Sequence, residues 1–142
     1  MLGKIIATQT RKEAVHKGGT PLGLPFSPGV RLGELLFISG QGAIDKSGRV
    51  AGGDIKTQTR ITLDNFRRIV EEAGSDLNNV LQTTVYLKDL ADYAEMNEVY
   101  SSFFNEPRPA RATVQVADLL LGMRVEIQGI AHIPSPTARE KR

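Results

Sequence analysis

The spacing of apolar residues changes repeatedly along this chain, and that change limits the folds open to it. Leu35-Leu36-Phe37-Ile38-Ser39 is a largely apolar run closed by Gly40, the pattern of a buried strand. Leu63, Phe66, Val70 and Ala73 then recur at helical spacing. Asp54 precedes them as a candidate N-cap and Gly74 follows as a stop. Val80 to Leu87 is rich in Val, Thr and Tyr and predicts a strand. Met96, Val99, Tyr100 and Phe103 return to helical spacing behind Asp92, a second candidate cap, until Pro107 and Pro109 break the pattern. Ala112, Val114 and Val116 alternate with Arg111, Thr113 and Gln115. Val125, Ile127, Gly129 and Ala131 alternate with Arg124, Glu126, Gln128 and Ile130, so both segments predict strands.

Upstream, Lys4 to Thr8 predicts a first short strand, residues 9–24 an extended loop, and Pro25 to Val30 an edge strand. This order of elements describes an α+β fold, with both helices able to cover one face of a single sheet. The 142 residues suit one domain, placed at 1–133, with a Pro- and charge-rich tail at 134–142 expected to be disordered. Alternation assigns Arg111, Thr113 and Glu126 to the sheet face that the helices leave open. Such a face is expected to meet water or another subunit.

Composition removes several chemistries. The chain has no Cys, which excludes disulfides, thiolate catalysis and Cys-based zinc sites. His16 and His132 fit no close-spaced ligand motif, and nothing points to a metal. No P-loop or dinucleotide fingerprint is present, and no cofactor is expected. A net charge of +2, part of it from Arg139-Glu140-Lys141-Arg142, argues against a nucleic-acid partner, because a dedicated binder clusters its basic residues. No apolar run approaches the roughly 20 residues that span a bilayer, and the apolar stretch at Met1 to Ile6 is too short for a signal peptide. No membrane partner and a cytoplasmic location are the default expectations.

Arg111 opens a strand just after Pro109-Ala110. Its guanidinium is permanently charged and offers a planar fork suited to a carboxylate, so it is a candidate anchor for a small acid. An internal pair with Glu126 or an Asp is the competing reading. Glu126 lies between Val125 and Ile127, where partial desolvation would raise its pKa toward the range useful for proton transfer. A solvated surface Glu is the alternative. Ser39-Gly40-Gln41 ends the buried strand, and Gly40 permits close approach of a ligand; an ordinary strand-ending turn is the reading that sequence alone favours. Ser39 is no obvious nucleophile, because the Gly-x-Ser-x-Gly elbow is absent. Asn97 is a poor helix former inside a predicted helix, which asks for a reason; simple exposure is the reading that sequence alone favours. Phe26 is placed either at the wall of a site or in the core.

Taken together, these segments resemble the RidA family of reactive-intermediate deaminases, also called the YjgF family. The resemblance is carried by Pro109 to Val114 with Val125-Glu126-Ile127, and by Ile38-Ser39-Gly40-Gln41. It continues through Gln58-Thr59, Leu63-Asp64-Asn65, Ala73-Gly74, Thr83 to Tyr86, Lys88-Asp89-Leu90, and Asn97 with Tyr100 and Phe103-Phe104, covering about residues 35–132. It implies a chorismate-mutase-like single domain with a mixed six-stranded sheet and two helices on one face. The final strand would insert between earlier strands. It further implies a homotrimer with clefts between subunits. Arg111 would bind a substrate carboxylate and Glu126 would activate water. Ser39, Gly40, Thr113, Phe26 and Asn97 would line the cleft, with Asn97 coming from the neighbouring subunit. The implied reaction hydrolyses 2-aminoacrylate and related 2-imino acids to 2-oxo acids and ammonia.

Three departures stand out. Thr113 replaces the Cys that many members carry, Leu24-Pro25-Phe26 replaces a Gly-Pro-Tyr, and the loop from Thr8 to Leu24 is longer than usual. They keep other readings open: a non-catalytic 2-oxo-acid sensor, a 2-aminomuconate deaminase, and an RNA-cleaving translation inhibitor.

Overall fold

The computed structural model describes residues 11–16, 19–20 and 23–135. Its strands are β1 (Glu13–Val15), β2 (Gly29–Leu32), β3 (Leu35–Gly42), β4 (Val80–Leu87), β5 (Ala110–Gln115) and β6 (Val125–His132). Two α-helices lie between them, α1 (Ile55–Glu72) and α2 (Tyr93–Phe103). The strands form one six-stranded sheet in the order β1-β2-β3-β6-β4-β5. β4 and β5 are parallel and the other neighbours antiparallel, so the sheet is mixed. β6 inserts between β3 and β4, as the family resemblance implied. Among the described residues no helix is long and apolar enough to cross a membrane.

The apolar stripe of α1 is buried as its spacing predicts, with Leu63, Phe66 and Val70 fully enclosed. Asp54 caps the helix, its carboxylate accepting the Thr57 N–H at 2.8 Å. Gly74 ends it with φ at +89°, a conformation that costs glycine little. On α2, Met96, Val99 and Tyr100 are buried. These side chains meet Leu36, Ile38, Val85, Leu87, Val125 and Ile127 from one face of the sheet, and this is the core. Gly129 lets the layers meet: a Cβ there would fall 2.6 Å from the Gln82 carbonyl and 2.9 Å from Phe66 Cζ.

Three expectations need correction. The loop expected at residues 9–24 contains β1, while the strand expected at Lys4 to Thr8 lies outside the described residues. Asp92 does not cap α2 with its side chain. Its carboxylate instead takes a two-pronged hydrogen bond from Arg124 Nη2 and Nε, at 2.8–3.2 Å, tying the start of α2 to the approach to β6. The edge strand expected at Pro25 to Val30 begins only at Gly29. Beyond β6 the fold continues, since Ile133 donates its N–H to the Glu34 carbonyl at 2.7 Å and Pro134 is buried. Residues 136–142 of the expected tail lie outside the described residues.

The face opposite the helices is open in the single chain. Leu35, Phe37 and Val114 are exposed there to 42%, 45% and 44%.

Candidate active site

Strand register decides which candidates meet. On β4, Thr83, Val85 and Leu87 are fully buried and point toward the helices. Arg111 pairs with Thr83 and Thr113 with Val85, so both side chains project to the helix side. Glu126 pairs with Tyr86, which lies between Val85 and Leu87, so it projects to the open side. The expectation that Arg111, Thr113 and Glu126 share one face is therefore wrong. The apolar residues of β5, Ala112 and Val114, are the ones that face the open side, and β5 is the edge strand. At this edge strand the helix side holds a cleft instead of core, so the apolar residues of β5 are left on the open side.

The helix-side half is built around Arg111. A cleft of about 440 Å³ is lined by Leu90, Tyr93, Arg111 and Thr113. The guanidinium carbon lies 4.7 Å from the centre of the Tyr100 ring and 5.7 Å from that of Tyr93. Arg111 Nη2 donates to the Tyr93 hydroxyl at 3.3 Å. Arg67, Arg108 and Arg124 all pair with carboxylates, whereas no carboxylate among the described residues pairs with Arg111. Aromatic faces position a cation without cancelling its charge, each contact contributing about 0.5–1 kcal/mol. The guanidinium thus keeps its fork for an anion. Tyr100 is itself held from behind by a 2.7 Å hydrogen bond with Thr83, and burial pushes its phenol above the ordinary range.

Asn97 and Thr113 belong to this half. Among the described residues neither Asn97 Oδ1 nor Thr113 Oγ1 finds a hydrogen-bond partner, although both atoms are buried. Buried polar atoms are normally paired, and an orphan facing a cleft is what a ligand would satisfy. Asn97 and then Arg111 hold the Tyr93 phenol below the ordinary phenol range. Tyr93, Asn97 and Tyr100 share one stripe of α2, which is the helical spacing that could have singled out Tyr93. That residue went unread because exposed helix tyrosines carry no signal of their own.

The second half lies on the open face. A Cβ at Gly40 would fall 2.6 Å from Glu126 Oε2, so only glycine leaves that carboxyl its place. Burial raises the Glu126 pKa above the usual carboxylate value. Ser39 sits beside it, but its hydroxyl donates to the Ser27 carbonyl at 2.6 Å, which ties down the strand rather than offering a free donor. Phe26, next to Ser27, is 50% exposed, which removes it from the core. Each chain therefore carries an uncancelled guanidinium on one side and a desolvated carboxyl on the other.

Fold and site together define a two-layer α+β domain with a guanidinium-floored cleft and a desolvated carboxyl. The comparisons narrow it. The family model described as Endoribonuclease L-PSP matches residues 21–133. A RutC family protein of Pyrococcus horikoshii is 49% identical over 113 residues, covering 79% of this chain and 89% of that protein. The 2-iminobutanoate/2-iminopropanoate deaminase of Mus musculus is 42% identical over 132 residues, 92% of each chain. The crystal structure of the YjgF gene product from E. coli superposes with a TM-score of 0.78 at 35% identity, covering 86% of this chain and 99% of that one. The chain belongs to the RidA/YjgF family.

Proposed function

We propose that this protein hydrolyses reactive 2-imino acids, and the enamines that tautomerise to them, to 2-oxo acids and ammonia. The observation that carries this reading is the Arg111 guanidinium, held between two tyrosine rings at a cleft with its charge uncancelled by any described carboxylate. A fork of this kind suits the carboxylate of a small acid. The mouse relative's name adds the substrate class.

Water adds to the imine carbon as Glu126 takes one of its protons. That proton passes to the nitrogen and gives a carbinolamine; Glu126 then carries the hydroxyl proton to the nitrogen as the carbon–nitrogen bond breaks, so the carbon–oxygen double bond forms and ammonia departs. The raised pKa of Glu126 brings it nearer the pH at which proton exchange is efficient. Because the substrate is already reactive, positioning and one proton carrier suffice. Arg111 and Glu126 leave opposite faces of one sheet, so the working site joins the Arg111 half of one subunit to the Glu126 half of its neighbour in a homotrimer. The exposed apolar residues of the open face supply the surface for that association. The protein's substrates are imines released by other enzymes.

A second reading, a cleft that binds 2-oxo acids without turning over an imine, draws on Ser39, whose hydroxyl is already committed. RNA cleavage draws less support, because the cleft lining offers a single cation to a polyanion. The test couples the purified protein to an enzyme that generates 2-imino acids and follows 2-oxo acid release. The wild type is expected to accelerate release, and Arg111→Ala to abolish that acceleration while still folding, at a melting temperature lower by a few degrees for the lost ring contacts. Equal turnover by the variant rejects the role of Arg111. Binding of 2-oxo acids without any acceleration favours the sensor.

A further inference from the structure

We propose that Tyr93 is a substrate-contacting residue, its hydroxyl donating a hydrogen bond to the carboxylate that Arg111 grips. The inference rests on the acid-binding reading of the cleft and adds a second donor to it.

Three observations converge. Tyr93 lines the same cleft as Arg111 and Thr113. Its hydroxyl lies 3.3 Å from Arg111 Nη2 and accepts from it. A phenol accepts through a lone pair and keeps its own O–H to donate. With 44% of its surface exposed, Tyr93 is not committed to the core, and its hydroxyl is free to rotate toward a ligand in the cleft. A carboxylate oxygen seated on Nη2 comes within reach of the phenol beside it. Arg111 and Tyr93 then clamp the acid from a charged and a neutral donor, and polarisation by the guanidinium strengthens the phenol as a donor.

The same geometry sets a pH limit. The charged group facing the phenol is Arg111 from β5; Tyr100, which stacks on the same guanidinium, has its phenol pushed up by burial and stays protonated. Asn97 and Arg111 lower the Tyr93 phenol. As pH rises through that lowered value, Tyr93 loses the proton it donates and puts a negative charge beside the guanidinium. Carboxylate affinity therefore falls on the alkaline side, earlier than an ordinary phenol near pH 10 would dictate.

The test measures binding of 2-oxobutanoate and of its uncharged amide to wild type, Tyr93→Phe and Arg111→Ala by titration calorimetry. The phenylalanine keeps the ring against Arg111, so the fold and the melting temperature stay. Tyr93→Phe is expected to weaken 2-oxobutanoate binding about tenfold, in line with a hydrogen bond to a charged group. It is also expected to leave amide binding unchanged and to remove the alkaline fall in affinity. Wild-type affinity in Tyr93→Phe, or an alkaline fall that survives the substitution, overturns the proposal. So does a wild type that binds no 2-oxobutanoate. Imine turnover by the wild type is measured beside it. Turnover with an indifferent Tyr93→Phe rejects this residue's role and leaves the deaminase standing. Tyr93-dependent binding without turnover supports the clamp and rejects the deaminase.

Discussion

At the scale of single residues, the site depends on what each neighbour leaves undone. Arg111 is useful because tyrosine rings hold it and no described acid neutralises it. Glu126 is useful because burial makes ionisation costly. Its raised pKa means that the folded chain binds that proton more tightly than the unfolded chain does. The resulting penalty is absent below the ordinary Glu value, about 4.3, and complete once pH has passed the raised value. Glu126→Gln is therefore expected to melt above the wild type at neutral pH, by a few degrees at most, with the two curves meeting in acid; a thermal melt across pH checks it. Arg111, Glu126, Gly40 and Asn97 were readable as candidates from residue type and position, and Thr113 only through the family resemblance. What no single residue could disclose was its orientation. Tyr93 escaped notice because its value comes from a guanidinium eighteen positions away.

Among the elements, the helices were the most legible. The stripe Leu63, Phe66, Val70 and Ala73 and its bounding Asp54 and Gly74 are local signals, and the packing agrees with them. Asp92 shows the limit of such signals. A cap-type residue stands before α2, but a guanidinium from the β5–β6 connection competes for its carboxylate and wins, because a two-pronged charged contact outweighs a cap. β1, with three residues, is too short to leave a period in the sequence. Elements also meet closely at Gly129, where β6 passes beneath α1 and beside β4. Because one of the atoms a Cβ would strike is backbone, rotamer changes cannot relieve the clash. Gly129→Ala is expected to cost about 2–3 kcal/mol, measurable as a lower denaturant midpoint with little change in slope.

For the whole molecule, the decisive fact is that the sheet separates its two reactive side chains. Alternation along β5 and β6 was visible in the sequence, but which way each strand faced depended on a register set by β4, and so on tertiary neighbours. A site completed between subunits makes a quantitative prediction. Arg111→Ala and Glu126→Gln chains are each expected to be inactive alone. Unfolded together and refolded as a mixture in equal amounts, they should recover roughly a quarter of wild-type turnover, since each junction independently draws one intact Arg111 and one intact Glu126. No recovery would place both residues of a working site on one chain.

The stacking of Arg111 between Tyr93 and Tyr100 has a spectroscopic consequence. Protons held over an aromatic face feel the ring current, so this guanidinium should resonate upfield of every solvent-bathed arginine. The protein carries a built-in reporter at the place where its ligand would dock.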